Sequence, residues 1–153
     1  GYPGGPVISK KAEIGNPRSI HFPRPMINAK NFNFSFSGLK TSVLYYLRDH
    51  KKISVRDVAA SFQQATVDVL VSKTIRALQE YKAKTLLVGG GVTANSLLRK
   101  TLTNAVPEQI PVFFPELWLT GDNALMIACA ALFKKKTSQT ATISALGNLK
   151  ISE

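Results

Sequence analysis

The apolar run Thr85-Leu86-Leu87-Val88 stops at three glycines, Gly89-Gly90-Gly91, and a helical pattern follows from Ala94 to Thr103. A short apolar run bounded by turn residues reads as a buried strand, and the glycines after it as a turn. The pattern then repeats. Pro111-Val112-Phe113-Phe114-Pro115 is a short strand fenced by prolines, and after Thr120-Gly121 a helix runs from Asp122 to Phe133. Strands alternating with helices require a sheet whose faces the helices cover, so the spacing predicts an α/β fold with a parallel or mixed sheet. The last helix is apolar nearly all round and is expected to be buried.

The preceding half is less regular. Residues Gly1 to Lys30 are rich in proline and glycine and read as a loop-rich lead-in, with about one helical turn near Ile8 to Ile14. Phe32, Phe34 and Phe36 alternate with Asn33, Ser35 and Ser37, the period of a strand. Gly38 ends that strand, and Thr41 to Leu47 reads as a short helix. Ser54 and Asp57 outline a capping box for a long helix reaching Tyr81. Val58, Phe62, Ala65 and Val69 form its inner face, widened by Val67, Val71 and Leu78, while Lys73, Arg76 and Gln79 mark the polar face. The expected organisation is a lead-in over 1–30, a strand plus helical insertion over 31–82, a strand–helix–strand–helix core over 83–136, and a tail over 137–153. The tail follows the run Lys134 to Lys136 and carries a weak strand pattern at Ala141-Thr142-Ile143.

At 153 residues, 44% of them hydrophobic and 19% charged, the chain is of a size and kind to bury one core. Its single cysteine, Cys129, excludes an internal disulfide, falls in an apolar helix as inert packing, and fits a reducing cytoplasm. The longest uncharged apolar run, Ala124 to Phe133, is half the ~20 residues a membrane span needs. A net charge of +11, from 20 Lys and Arg against 9 Asp and Glu, favours a polyanionic partner, because neutralising phosphates releases counterions. Opening without Met, on the turn-forming Gly1-Tyr2-Pro3-Gly4-Gly5-Pro6, the chain reads as a fragment.

The glycine turn sits where α/β sheets bind ligands, between the carboxyl end of a strand and a helix N-terminus. Glycines let a phosphate approach the backbone, yet they serve equally well in a tight corner. Asn95 adds an amide that both donates and accepts. Neither G-x-G-x-x-G nor a P-loop is present. Asp122 is either the N-cap of the last helix, a job Asn123 can share, or a hard-cation ligand. His21 and His50 match no metal spacing and read as surface or capping residues. Ser35, Ser37 and Thr41 have no base placed beside them, and Lys40 suits either a phosphate or a strand end.

Tyr2-Pro3-Gly4-Gly5-Pro6, Phe34-Ser35-Phe36-Ser37-Gly38-Leu39-Lys40-Thr41, Gly90-Gly91-Val92-Thr93-Ala94-Asn95 and Asp122-Asn123-Ala124-Leu125-Met126-Ile127-Ala128 follow one another in this order. Together they resemble the C-terminal part of the tRNA threonylcarbamoyladenosine transferases (TsaD), once called O-sialoglycoprotein endopeptidases, up to the lysine run. The resemblance implies a partial C-terminal lobe of the actin-like ATPase, ribonuclease-H-like fold. It implies transfer of the threonylcarbamoyl group from threonylcarbamoyl-AMP to N6 of the adenosine beside the anticodon of tRNA. It further implies an adenine nucleotide as substrate, one divalent metal (iron foremost, zinc or magnesium as alternatives), and helper proteins of the TsaB and TsaE type. By motif position, Gly5 and Asn95 correspond to adenylate contacts, Gly90 and Gly91 to the turn over the nucleotide, and Asp122 to a metal ligand. The family's H-x-x-x-H metal motif and its Ser-Gly-Gly-His-Thr segment are absent from this sequence. Ser9 stands where many relatives carry Asp near the ribose, and Gly121 where bacterial members usually carry Thr.

The chain alone is therefore expected to be inactive, holding one metal ligand of the site and part of its adenylate pocket. A non-catalytic RNA-binding module of the same fold and a metalloendopeptidase are the competing readings; no His-Glu metal motif supports the latter.

Overall fold

The computed structural model describes residues 4–133. The chain divides into two compact units, Gly1–Gly121 and Asp122–Glu153. The first contains helix α1 (Gly4–Ala12), α2 (Ser37–Asp49), α3 (Val55–Glu80), strand β1 (Leu86–Leu87), a 3₁₀ turn (Gly91–Ala94), α4 (Ser96–Ala105), strand β2 (Val112–Phe113) and a second 3₁₀ turn (Leu117–Leu119). The second contains α5 (Ala124–Phe133). β1 and β2 pair in parallel, Leu86 opposite Val112 and Leu87 opposite Phe113, with α4 as the crossover between them. No described helix is long and apolar enough to cross a membrane.

α3 is the spine of the first unit, 26 residues or about 39 Å at 1.5 Å per residue. Ser54 caps it by accepting from the Asp57 amide at 3.3 Å. The other end closes with Lys82 in the left-handed region, where the Ala83 amide returns to the Leu78 carbonyl at 3.0 Å. Val58 and Ala65 pack with Phe22 and Leu39 in one cluster, and Val67 and Val71 with Leu98 and Leu102 in another. Leu86, Val88 and Phe114 lie against the second cluster, so the strands are seated on α3 and α4.

The lead-in is more ordered than its composition suggests. α1 occupies Gly4–Ala12, where the sequence pointed to about one turn, and meets α3 through the small residues Ala12, Ala59 and Ala60. The segment after α1 lies along α3 on a polar stripe whose members are four, three and four residues apart: Asp57, Ser61, Gln64 and Asp68 share one helical face. Asp57 Oδ1 accepts from the Asn16 amide at 2.8 Å. Ser61 Oγ accepts from the Ile20 amide at 3.2 Å and donates to the Asn16 carbonyl at 3.3 Å. Asp68 pairs with Arg24 at 2.8 Å and accepts from Gln64 at 2.7 Å.

Three expectations are corrected. The aromatic segment Phe32 to Phe36 forms no strand. Lys73 Nζ donates to the carbonyls of Asn31 (3.0 Å) and Asn33 (2.6 Å), and Arg76 donates to Asn31, so these side chains take acceptors a sheet ladder would use. Lys73 itself is 1% exposed rather than on a solvent face, with its ammonium over the Phe34 ring. Burial, then the neighbouring Arg76 charge, push its pKa down. Finally, α5 and Cys129 are exposed rather than buried, Leu132 at 83% and Phe133 at 90%. An all-round apolar helix needs cover on every side, and the described residues of its own unit offer too few side chains to supply it. The Lys134–Lys136 run and the strand expected at Ala141-Thr142-Ile143 lie outside the described residues.

Candidate functional site

The glycine turn begins where β1 ends. The Val88 amide donates to the Phe113 carbonyl at 3.0 Å, and the chain then leaves the sheet. Gly90 has φ +88°, ψ 165°, a conformation that side-chain-bearing residues rarely adopt. The carbonyl of Gly90 is held by Thr93, whose amide and hydroxyl both donate to it, at 3.0 and 2.7 Å. Arg99, one turn into α4, donates to the Thr93 and Pro115 carbonyls and lies over the Phe114 ring. The turn is thus locked from behind to the segment following β2.

Its front is open. A Cβ added at Gly89 or Gly91 would meet nothing within 4 Å. Only Gly90 is required to be glycine by its backbone; at the other two positions, the protein's own packing gives no reason for glycine.

Asn95 follows the 3₁₀ turn as the N-cap of α4, with Oδ1 accepting from the Leu98 amide at 2.9 Å. Its Nδ2 donates to Gln63 Oε1 on α3 at 2.8 Å and to Ser9 Oγ on α1 at 3.1 Å. One side chain therefore joins α1, α3 and α4. Beside it lies a cleft of about 80 Å³ bordered by Gly5, Ser9, Gln63, Val92 and Asn95, and floored by apolar residues including Phe62, Val67 and Leu98. A Cβ at Gly5 would meet nothing within 4 Å, so the α1 side of the cleft is open as well.

Gly5 and Asn95 are brought to one cleft, and Gly90 and Gly91 begin the turn whose Val92 borders it. Asp122 opens the second unit and is exposed. The N-cap of α5 is Asn123, whose Oδ1 accepts from the Met126 amide at 3.0 Å. Of the two uses the sequence left open for Asp122, capping falls to its neighbour. Among the described residues, no cluster of three or more His, Cys, Asp or Glu could hold a metal. His50 stacks on Tyr46, with Nδ1 2.9 Å from the Tyr46 carbonyl at the end of α2, which is a capping role. Ser35 and Ser37 hydrogen-bond one another at 3.0 Å, and neither meets a base.

Three contributors escaped the sequence reading: Thr93 and Arg99 behind the turn, and Gln63 beside Asn95; Ser9, noted there only for its place near the ribose, is the other partner of the Asn95 amide. Gln63 was hidden because its partner is 32 residues away, on another helix. Thr93, three residues after Gly90, carries a local signal, since a hydroxyl at that spacing closes a turn.

Comparison with known proteins follows the same ground. The family model described as tRNA N6-adenosine threonylcarbamoyltransferase matches residues 1–129. A protein of that name from Thermosipho africanus (strain TCF52B) is 47% identical over 156 aligned positions, covering 99% of this chain and 47% of the relative. One from Thermotoga neapolitana is 50% identical over 89% of this chain and 42% of the relative. One from Clostridioides difficile (strain 630) is 42% identical over the whole chain and 47% of the relative. The chain spans about half the length of the curated relatives it matches.

Proposed function

The chain belongs to the tRNA N6-adenosine threonylcarbamoyltransferase family, and we propose that it supplies the adenylate-binding wall of such an enzyme. Within the complete protein it would take part in moving the threonylcarbamoyl group from threonylcarbamoyl-AMP to N6 of the adenosine beside the anticodon. The observation that carries this reading is the open cleft between Gly5 and Asn95, next to a glycine turn at which an added Cβ would meet no described atom within 4 Å. The helix-rich unit on a two-stranded parallel sheet is compatible with part of an actin-like lobe.

In the reaction the adenosine amine attacks the carbamoyl carbon, the bond from that carbon to the phosphate oxygen breaks, AMP leaves, and the amine gives up a proton. This chain's part is to hold the leaving nucleotide. The Gly89–Gly91 turn lets the nucleotide approach the backbone, and Asn95 with Gly5 sets its position in the cleft. The volume beside Asn95 has room for a few waters and not for a whole adenylate. The nucleotide would therefore lie across the mouth, with one polar group reaching inward.

A divalent metal would be held in part by Asp122, whose exposed carboxylate is not the cap of α5 and has the hard-oxygen chemistry such ions take. The metal, when bound, would stabilise charge developing on the carbamoyl oxygen. The remaining ligands would come from elsewhere in the complete enzyme. The +11 charge suits a tRNA substrate and implies salt-sensitive binding. TsaB- and TsaE-type helpers and a cytoplasmic setting complete the proposal.

The test uses the complete transferase containing this chain. Threonylcarbamoyladenosine formation on tRNA is measured for wild type, Asn95→Ala and Asp122→Ala. Expected are a raised KM for the adenylate with Asn95→Ala and a loss of bound metal and of turnover with Asp122→Ala. A wild type that modifies no tRNA, or an Asn95→Ala enzyme with unchanged KM, overturns the reading.

A further inference from the structure

The hydrogen-bonding state of Asn95 restricts what can bind it. Its Oδ1 receives the Leu98 amide at 2.9 Å, and an amide N–H can only donate, so that atom is the oxygen. The other atom is then Nδ2, and both its hydrogens are engaged, one by Gln63 Oε1 at 2.8 Å and one by Ser9 Oγ at 3.1 Å. The Gln63 atom facing an amide nitrogen must in turn be its oxygen. The two side-chain amides thus fix each other's orientation through the backbone of α4. What remains at Asn95 is the second lone pair of Oδ1, an acceptor.

We propose that Gln63 is a positioning residue that, together with the Leu98 amide, holds Asn95 so that it presents an acceptor, and that the site reads a hydrogen-bond donor on its ligand. This rests on the adenylate reading above. A ribose hydroxyl or the exocyclic amine of adenine is such a donor. A phosphate oxygen is not, so the phosphate falls to the glycine turn and the nucleoside to Asn95. Ser9, a hydroxyl able to accept or donate, is the softer of the two supports. Gln63 stands on α3, within the packed spine of the unit, and is the firmer one. With Gln63→Leu, Nδ2 loses its strong acceptor and the Asn95 side chain is held only by the Leu98 amide and Ser9, so its position in the cleft loosens. With Gln63→Glu an acceptor stays in place.

The experiment measures binding to the complete transferase by calorimetry, with AMP, 2′,3′-dideoxy-AMP and purine riboside monophosphate, which lacks the exocyclic amine. One lost hydrogen bond to the ligand corresponds to a loss of roughly three- to thirtyfold in affinity. On wild type, one of the two altered ligands should lose about that factor. On Gln63→Leu, AMP should weaken by about as much, and the same altered ligand should lose little more, because the contact is already gone. Gln63→Glu should recover most of the AMP affinity lost in Gln63→Leu. In turnover, Gln63→Leu should raise KM for the adenylate with kcat nearly held.

Equal further losses for the altered ligands on wild type and Gln63→Leu overturn the proposal, as does AMP binding unaffected by Gln63→Leu. Failure of Gln63→Glu to recover binding assigns Gln63 a packing role and also overturns it. A wild type that binds none of the three ligands fails the adenylate reading instead, and the two failures are distinguishable on the wild-type titration alone.

Discussion

Gly15 stands where the lead-in passes over α3, and its replacement by alanine tests how closely that segment is held. An alanine Cβ there would lie 2.1 Å from the Arg56 carbonyl oxygen, 2.5 Å from its carbon and 2.9 Å from Ala60 Cβ. Ordinary contacts of this kind are ~3.3–4.0 Å, so the junction must open by about 1 Å. Gly15 does not have a positive φ, so the cost is steric. Overpacking by one methyl against yielding side chains costs ~1–3 kcal/mol, and here the wall is the backbone of a helix. Opening also stretches the hydrogen bonds that Ser61 donates to the Asn16 carbonyl and accepts from the Ile20 amide, each worth about 1 kcal/mol. The expected destabilisation for Gly15→Ala is therefore ~2–4 kcal/mol in urea unfolding of the complete protein. Hydrogen exchange should speed up at the amides of Gly15, Asn16 and Ile20, while those of β1 stay protected. A stability within about 0.5 kcal/mol of wild type, with unchanged exchange at Asn16, would refute the close approach.

Gly38→Ala is the matched contrast. A Cβ there meets nothing, and the position lies in the first turn of α2, so stability should rise by a few tenths to about 1 kcal/mol in the same urea assay. Gly90→Ala should cost ~1–3 kcal/mol through its positive φ and should weaken AMP binding, whereas Gly89→Ala, tested side by side, should leave urea stability nearly untouched. Asn95→Ala should lose ~1 kcal/mol as a lost N-cap, while Asn95→Ser should retain most of that stability and still lose the link to Gln63; equal destabilisation of both would exclude capping. Asp57 has its pKa lowered, chiefly by the Asn16 amide and then by the Ser54 hydroxyl. Its contribution to stability is present above the unfolded carboxyl value near 4 and is lost as pH falls through the lower folded value. Urea midpoints from about pH 6 to about pH 2 should show a shallower acid limb for Asp57→Asn than for wild type.

Much was legible along the chain, because local patterns act on neighbouring residues. The period of α3 and its Ser54 cap, the β1–glycine–α4 order, and the fenced strand at Val112 all follow from side chains a few positions apart. The motif order Gly5, Gly90-Gly91, Asn95, Asp122 points to a nucleotide site and to the family from the sequence alone. What the local pattern could not settle was where polar groups find partners. The alternation at Phe32 to Phe36 is a true strand signal, yet Lys73 and Arg76, some forty residues on, take the carbonyls and leave no ladder. Ser9, Gln63 and Asn95 are far apart in sequence, and the packing of α1 and α4 against α3 brings the first two to the amide of the third. The sequence alone thus singled out Gly5, Gly90, Gly91, Asn95 and Asp122 as candidates, through motifs carried by neighbouring residues. Tertiary structure decided that Ser9 and Gln63 take up both hydrogens of the Asn95 amide, because a hydrogen bond depends on partners that distance along the chain does not reveal.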